Sequence, residues 1–364
     1  MDRARGQEHS SGTTQRTALA LLTAAVLTAA PTASAAPPGP ELDGRTSVTD
    51  SDRNLRGLDA VSASEAWVSG ESRSGGAAGI FHTTDGGRSW QDVTPPGTEG
   101  LSLRDVEVVG GAVHVLAIGP GEDSRILRTT DEGATWQEAF RNDDPAAFYN
   151  CMAFYPDGRR GLAVSDPVDG RIQLAATDDG GRTWEVLPDT GMVPTEGEAQ
   201  FSSSGDCLTV SADRAHIVTG GAASRVLTST DHGLTWTARD SALRAGDAAG
   251  AFAASFTGRH GIVVGGDFDD PANTRQTTAR SHAGGAWRPG EDLTHVGEDV
   301  AHVRGSRLAL ATGDYRGSEG TSLTRDGGKS WERVTDQGFH TLDCTPGGTC
   351  WGAGSEGVVG TLRG

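Results

Sequence analysis

Arginine recurs at corresponding places along the chain, and a guanidinium can bind a carboxylate, sulfate or phosphate through two parallel hydrogen bonds. The segments "GPGEDSR", "DPVDGR", "GGAASR" and "GGDFDDPANTR" each end in an arginine, and "GDYRGSEG" contains a fifth. The five are Arg125, Arg171, Arg225, Arg275 and Arg316. We predict that they line one mouth and bind a protein or a small anionic ligand. The alternative is a plain surface role, since Lys329 is the single lysine of the chain.

Acidic side chains share these segments, and two carboxylates at a mouth are what glycoside hydrolysis uses as acid and as base or nucleophile. They are Glu122, Asp123, Asp166, Asp169, Asp267, Asp269, Asp270, Asp314 and Glu319. Loop carboxylates are more commonly solvated surface groups, so we keep hydrolysis as an alternative. The run "DFDDP" lacks the alternating ligand spacing of a calcium loop, and no cysteine spacing suits zinc. We therefore predict no metal site.

One octapeptide recurs along the chain, which indicates a repeated structural element. We expect this element to position the arginine segments. "TTDGGRSW" at 83–90 is followed by "TTDEGATW" at 129–136, "TDDGGRTW" at 177–184, "STDHGLTW" at 229–236 and "TRDGGKSW" at 324–331. The final tryptophans are Trp90, Trp136, Trp184, Trp236 and Trp331, and Trp287 fills the gap, so that successive spacings run from 44 to 52 residues. Short strands at such a period are typical of propeller blades, which are four-stranded antiparallel sheets. We predict an all-β propeller.

The strands of one blade follow from residues 55–94, where "LRGLDAVS", "EAWVSGE", "GIFHTT" and "SWQDV" read as inner, second, third and outer strands. The last repeat matches the first three of these strands but stops at Gly364. We predict that "GRTSVTD" at 44–50 supplies the missing outer strand and closes the ring, which removes open sheet edges. The propeller then spans residues 44–364 with seven blades, and six is the alternative count.

The octapeptide is predicted to form the hairpin between the third and outer strands. Its aspartate can accept backbone hydrogen bonds, glycine supplies a positive φ, and tryptophan fills space between sheets. The aspartates are Asp85, Asp131, Asp179, Asp231 and Asp326. Identical carboxylates spread around a ring cannot converge on one substrate, so we predict a structural role. In the fifth blade, Arg280 and His282 are expected where the hydroxyl and the aspartate belong.

The repeat resembles the Asp-box, or bacterial neuraminidase repeat, of sialidases and related propellers. The whole blade looks more like the photosystem II stability and assembly factor family, over about residues 44–364. That resemblance implies a non-catalytic binding scaffold with an arginine patch on one face, and no particular partner. Likeness to sialidases would instead imply Tyr315 as nucleophile, backed by Glu319 and near Arg316, although the early Arg-Ile-Pro motif of sialidases has no counterpart here.

The N-terminus is predicted to be a secretory signal peptide, residues 1–35, with cleavage after Ala35. Three arginines precede the apolar run "ALALLTAAVLTAA", and "ASA" follows it; this run is too short to span a bilayer. Residues 36–43 are predicted to be a flexible lead-in. The leader carries three arginines and two acids, so its loss takes the net charge from −18 to −18 − 1 = −19. Such a charge disfavours nucleic acid and anionic membrane surfaces as partners.

Four cysteines remain in an exported chain, which favours disulfides. Cys344 and Cys350 flank the turn "TPGGT" and are predicted to face each other on a hairpin. Cys151 and Cys207 begin the equivalent stretches "CMAFYPDG" and "CLTVSADR" and could bridge adjacent inner strands. Free buried thiols are the alternative for both pairs.

The sequence as a whole predicts a secreted, monomeric propeller that works as a binding or assembly scaffold, without membrane insertion. A sialidase-like glycoside hydrolase is the first alternative. A propeller oxidoreductase is the second, although the chain has neither a GxGxxG motif nor a haem-attachment CxxCH motif, and its histidines are scattered. A GxSxG nucleophile elbow is also absent. We predict no cofactor.

Overall fold

The computed structural model describes residues 41–188, 190–201, 203–282, 284–303 and 305–363. The predicted signal peptide and residues 36–40 of the predicted lead-in lie outside the described residues. The described part is almost entirely β-strand. None of its helices is long and apolar enough to cross a membrane.

Thirty strands follow one another along the described residues. Those of its first half are β1 (Glu41–Val48), β2 (Arg53–Asp59), β3 (Ala66–Ser72), β4 (Gly79–Thr83), β5 (Gln91–Asp92), β6 (Ser102–Val109), β7 (Ala112–Pro120), β8 (Arg125–Thr129), β9 (Gln137–Arg141), β10 (Phe148–Phe154), β11 (Gly161–Val168), β12 (Arg171–Thr177) and β13 (Glu185–Val186). Those of its second half are β14 (Glu198–Ala199), β15 (Leu208–Ser211), β16 (Arg214–Val218), β17 (Gly220–Gly221), β18 (Arg225–Ser229), β19 (Thr237–Asp240), β20 (Gly246–Thr257), β21 (His260–Asp267), β22 (Thr278–Ser281), β23 (Arg288–Pro289), β24 (Asp299–His302), β25 (Ala309–Gly313), β26 (Gly320–Thr324), β27 (Glu332–Thr335), β28 (Thr341–Cys344), β29 (Thr349–Ala353) and β30 (Val358–Arg363). Two 3-10 turns cover Gly121–Asp123 and Ser355–Gly357.

Strand pairing groups these strands into antiparallel four-stranded units, which we read as blades. Unit 1 is β2 to β5, unit 2 is β6 to β9 and unit 3 is β10 to β13. Unit 4 is β15, β16, β18 and β19, unit 5 is β20 to β23, and unit 6 is β24 to β27. Unit 7 combines β28 to β30 with β1. Consecutive meanders of this kind build a β-propeller.

The N-terminal strand completes the last unit. β1 pairs antiparallel with β30, and Val48 lies opposite Val358. The strand starts at Glu41, three residues before the predicted beginning of the propeller, so the end of the predicted lead-in is strand. The Trp90 indole of unit 1 donates to Ser47 Oγ at 3.0 Å, so unit 1 packs directly against this added strand.

The core lies between units rather than inside them, because each sheet has two apolar faces. One cluster joins Trp67 and Ile80 of unit 1 to Leu103 and Val115 of unit 2, all nearly fully buried. Every unit therefore depends on its neighbours for burial of its apolar area. The two ends of the strands remain open for loops.

The octapeptide hairpins, here called the aspartate turns, all have one hydrogen-bond pattern. Asp85 accepts from the backbone N–H groups of Arg88 and Ser89 at 2.9 and 3.0 Å and from the Ser89 hydroxyl at 2.7 Å. Bonding to the Ser89 side chain and backbone lowers the pKa of Asp85 to about 2. The other four aspartates likewise accept from the backbone and hydroxyl of the Ser or Thr four residues on. The hairpins joining first to second strands lie at this same end, which we call the turn face; the opposite end is the loop face.

The turn of unit 5 differs from its sequence alignment by one residue. Ser281, rather than Arg280, pairs with the start of the second strand, at Gly261, as Thr83 pairs with Ala66 in unit 1. The expectation that Arg280 and His282 replace the hydroxyl and the aspartate is therefore wrong. The turn is one residue shorter, because Trp287 follows Ser281 by six positions, whereas Trp90 follows Thr83 by seven. The Ser281 hydroxyl donates to Gly285 O at 2.9 Å.

Both cysteine pairs lie at disulfide distance. Cys344 and Cys350 are register partners across β28 and β29, with Cα atoms 4.0 Å apart, as predicted for a hairpin bridge. Cys151 of unit 3 and Cys207, next to the inner strand of unit 4, have Cα atoms 5.9 Å apart. The second bridge ties two adjacent units and spans 56 residues.

Removing the longer bridge is expected to cost more stability than removing the shorter one. A cross-link reduces the entropy of the unfolded chain in proportion to the logarithm of the enclosed loop, so Cys151→Ala with Cys207→Ala should cost about 2–4 kcal/mol. The matched pair Cys344→Ala with Cys350→Ala encloses a separation of only six residues. Denaturant unfolding of both double variants measures the difference, and equal losses would contradict the expectation.

Candidate functional site

Two of the five predicted arginines are held by carboxylates of their own surroundings. Arg225 contacts Glu198 through Nη2 and Nε at 2.6 and 2.8 Å, and the Glu198 side chain is fully buried. Arg225 also donates to Val193 O at 3.0 Å. Because a buried carboxylate needs its partner, this guanidinium supports the local fold and is not available to a ligand.

Arg125 is held more loosely. Its Nε donates to Glu122 O at 3.0 Å, and the carboxylates of Asp123 and Glu138 lie 3.9 and 4.0 Å from its terminal nitrogens. Most of its charge is therefore neutralised within unit 2.

The other three predicted arginines are exposed on the loop face. Arg171 opens β12, Arg275 lies in the segment between β21 and β22, and Arg316 lies between β25 and β26. The Arg316 guanidinium carbon is 5.1 Å from the centroid of the Tyr315 ring, a cation–π geometry. Convergence of the five arginines on one mouth remains a prediction.

An aromatic cluster that sequence reasoning missed lies on the same face. Phe268 stacks on the buried Phe252 with ring centroids 4.3 Å apart, and meets Tyr315 edge-on at 4.7 Å. Phe201 contacts Phe252 at 5.3 Å and Phe268 at 6.1 Å. Phe201, Phe268 and Tyr315 are half-buried, and with Arg316 they form what we call the aromatic patch. Three units contribute to it, so no local motif announces it.

The two hydrolase candidates, Tyr315 and Glu319, have separate partners among the described contacts. The Glu319 carboxylate accepts a hydrogen bond from Gly317 N at 2.6 Å, while the Tyr315 ring packs against Phe268. Among the described contacts, no hydrogen bond joins the Tyr315 hydroxyl to Glu319. The Tyr155 and Tyr149 hydroxyls are less acidic than usual, because burial raises both pKa values.

The inner strands carry a buried charge network toward the loop face. Glu298 is paired with Arg56 at 3.0 Å and with His340 Nδ1 at 3.0 Å, and it accepts from Asp314 N at 2.7 Å. Burial opposes the charge of Glu298, but His340 and Arg56 outweigh burial and lower its pKa to about 2. The network joins units 1, 6 and 7 across the centre of the ring.

The same inner strands present carboxylates toward the turn face. A cavity of about 150 Å³ is lined by Asp59, Asp105, Glu107, Asp206 and Asp343, which come from four units. Burial raises the pKa of Asp105 to about 7, against the backbone hydrogen bond from Met152. Burial also raises the pKa of Asp206, which is hydrogen-bonded to Asp299 and repelled by it. No group of histidine, cysteine or acidic side chains among the described residues is arranged to hold a metal ion.

Solved structures similar to this chain include β-propellers. "YCF48 bound to D1 peptide" has a TM-score of 0.60 at 16% identity, covering 89% of this chain and 97% of that chain. The WD40 repeats of RRP9 give 0.62 at 10% identity over 89% and 99%, and the WD40 β-propeller domain of Doa1 gives 0.58 at 12% identity over 89% and 97%. No family model and no curated protein sequence matches the chain. The all-β propeller class is thereby confirmed.

Proposed function

We propose that the chain is an exported, non-catalytic propeller that binds a protein partner on its loop face. The observation that carries the proposal is the aromatic patch, in which Phe201, Phe268 and Tyr315 are half-exposed beside the guanidinium of Arg316. Aromatic side chains and arginine are enriched at the energetic centres of protein interfaces. Exposed Arg171 and Arg275 on the same face add positive charge, which suits a partner segment with an apolar side chain next to a carboxylate.

The patch rests on a rigid base, which a binding site needs. Phe252 beneath it is fully buried in an inner strand, and the Cys151–Cys207 bridge ties units 3 and 4 together. A preorganised surface loses little entropy on binding. The propeller neighbours, one of them bound to a peptide, are compatible with this mode.

Export is part of the proposal and is supported by the predicted leader together with the two cysteine bridges. Disulfides persist in oxidising compartments and are rare in the cytosol. A partner would then be found outside the cytoplasm.

Selection of peptides from a displayed random library on the purified protein tests the loop-face proposal. We expect selected peptides to bind the wild type and to lose at least about tenfold in affinity to a Tyr315→Ala, Arg316→Ala double variant, because it removes an aromatic anchor and its cation. Both side chains are at least partly exposed, so the variant should fold.

The matched control carries Leu234→Ala and Arg88→Ala, which remove one apolar side chain and one arginine from the turn face. Leu234 is 62% exposed and Arg88 is exposed as well. Binding that is unchanged in the patch variant and lost in the control would move the partner site to the opposite face.

A further inference from the structure

We propose that a basic cleft between units 5 and 6, on the turn face, binds a phosphoryl or sulfuryl dianion. The cleft has a volume of about 300 Å³. Its cationic and titratable side chains are His260, Arg280, His282, Arg288, Arg307 and Lys329. The single lysine of the chain thus lies with three arginines and two histidines in a protein whose net charge is −18.

These cations are not neutralised by neighbours. No carboxylate among the described residues forms an ion pair with Arg280, Arg288, Arg307 or Lys329, whereas most arginines of the inner strands and loop face have one. The one acidic group lining the cleft is Asp326, and its oxygens accept from the backbone of Lys329 and Ser330 and from the Ser330 hydroxyl. A concentration of unpaired charge is costly unless a ligand or solvent balances it.

Arg280 provides a second, separate observation, which is a buried N–H group without a hydrogen-bond acceptor. Its Nε is buried and has no hydrogen-bond partner in the described structure, although the side chain belongs to the cleft. A buried N–H without an acceptor costs about 1–3 kcal/mol, so an acceptor placed here is favoured. A tetrahedral oxyanion offers several acceptor oxygens to guanidinium groups that approach from different sides.

Two histidines complete the cleft. Their Nδ1 atoms, one in His260 and one in His282, are 3.0 Å apart, and the ring centroids lie 4.3 Å apart. Burial, His282 and Arg307 together lower the pKa of His260. A bound dianion would oppose the repulsion from these cations and favour the protonated His260 ring.

The shortened turn of unit 5 explains why the cleft is here. Each of the five aspartate turns has an aspartate four residues before a Ser or Thr and bonded to it. The corresponding sequence of unit 5, "SHAGGAW", contains no acidic residue. On the other side of unit 5, Arg214, Arg239 and Arg259 line a smaller cleft of about 160 Å³ beside Trp287. Unit 5 therefore carries positive charge along both of its flanks.

Calorimetric titration with inorganic phosphate, inorganic sulfate and acetate tests the proposal. We expect both tetrahedral anions to bind the wild type and acetate to bind at least about tenfold more weakly, because it has one charge and two oxygens. Tighter binding of phosphate than of sulfate would indicate a phosphoryl ligand, and the reverse a sulfuryl ligand. If acetate bound as tightly as phosphate and sulfate do, the proposal would be overturned.

The variant for this titration carries Arg307→Gln and Lys329→Gln. Both side chains are exposed, so folding is not at risk, and affinity for the dianions should fall by at least about tenfold. The control carries Arg88→Gln and Arg182→Gln, exposed arginines in the turns of units 1 and 3, and removes the same charge from the same face. An equal loss of dianion affinity in both variants would show that the effect comes from net charge alone, and would overturn the proposed site.

A pH series separates the histidines from the permanent cations. Inorganic sulfate keeps both charges between about pH 8 and pH 5.5, so any gain in its affinity reports protonation of the protein. We expect affinity to rise as pH falls, and the rise to be smaller in a His260→Gln variant. Asp326 faces the same cleft, but its pKa is lowered by the Ser330 backbone and hydroxyl despite burial, so it keeps its charge in this range. A sulfate affinity independent of pH would contradict the part assigned to the histidines.

Discussion

Replacing Glu298 with alanine is expected to lower the free energy of unfolding by about 3–5 kcal/mol, because it leaves buried positive groups without their partner. Arg56 is 8% exposed, and its Nη1 relies on Glu298 and on Ser203 O at 2.7 Å. His340 would lose its Nδ1 acceptor at the same time. Since these residues belong to units 1, 6 and 7, the loss falls on the closure of the ring.

Chemical denaturation near neutral pH measures this effect. The control is Glu332→Ala, which removes an exposed carboxylate from β27 of the same unit and should change stability by less than about 0.5 kcal/mol. Glu298→Gln should fall between the two, because it keeps acceptor geometry but removes the charge. A Glu298→Ala variant as stable as the Glu332→Ala variant would show that the network does not hold the ring together.

Folding stability is also expected to rise as the pH falls from about 8 toward about 6.5, because the buried carboxylates bind protons more tightly in the folded protein. Below that pH the gain is opposed by four histidines whose pKa values burial lowers to about 4, namely His114, His216, His295 and His302. Burial raises the pKa of Asp105 to about 7 and that of Asp299 to about 6, from an ordinary value of 3.8. A carboxyl whose pKa is higher in the folded protein than in the unfolded chain contributes stability, and the full contribution is present below the pKa of the unfolded chain. That stability is lost as the pH rises through about 6 and about 7.

Carboxylates with lowered pKa values make the protein less stable again in stronger acid. The pKa of Glu298 is lowered to about 2 by His340 and Arg56 against burial, and that of Asp85 to about 2 by its bonds to Ser89. Their contributions are present above the unfolded pKa and disappear as the pH falls through the folded value. Stability should therefore pass through a maximum in mild acid and decline below about pH 4.

An Asp206→Asn variant tests whether the carboxylates of the cavity at the turn face cause this rise in stability. The amide can donate to Asp299 as a protonated carboxyl would, so the variant should be more stable than the wild type at about pH 8 and should gain less on acidification. The control is Asp336→Asn, where the carboxylate is 96% exposed. A wild type whose stability is flat or falls between about pH 8 and pH 6.5 would contradict the account.

The repeat made most of the fold predictable. Tryptophans spaced by 44 to 52 residues identify the units, and the partial last repeat implies a strand from the N-terminus, which the pairing of Val48 with Val358 supplies. The register of unit 5 was not predictable in this way. Counting back from Trp287 assumes a turn of constant length, and only strand pairing shows that Ser281 ends the third strand.

The site was less predictable because partners come from distant segments. The sequence presents Arg225 as a free loop cation, yet it is bound by Glu198, which lies 27 residues away in the short strand β14. The aromatic patch draws on three units and has no spacing of its own. The buried charges of the inner strands alternate with apolar residues as in any strand, so only their convergence at the centre distinguishes them.

The repeat suggests that the turn face is purely structural, but the basic cleft of unit 5 lies on this face. Five regular turns there engage their own aspartates, which supports a structural role for that end of the ring. The irregular fifth unit interrupts the series, and the unpaired cations gather beside it. A departure from the motif, rather than the motif, points to the second candidate site.

Hydrogen–deuterium exchange of the wild type with and without a library-selected peptide tests the central claim most directly. If the loop face is the partner site, protection should appear in 267–277 and 314–319, which flank the aromatic patch, while 83–90 and 229–236 on the turn face stay unchanged. Protection confined to the turn-face segments, with no change in 267–277 or 314–319, would contradict the proposal that the loop face binds the partner.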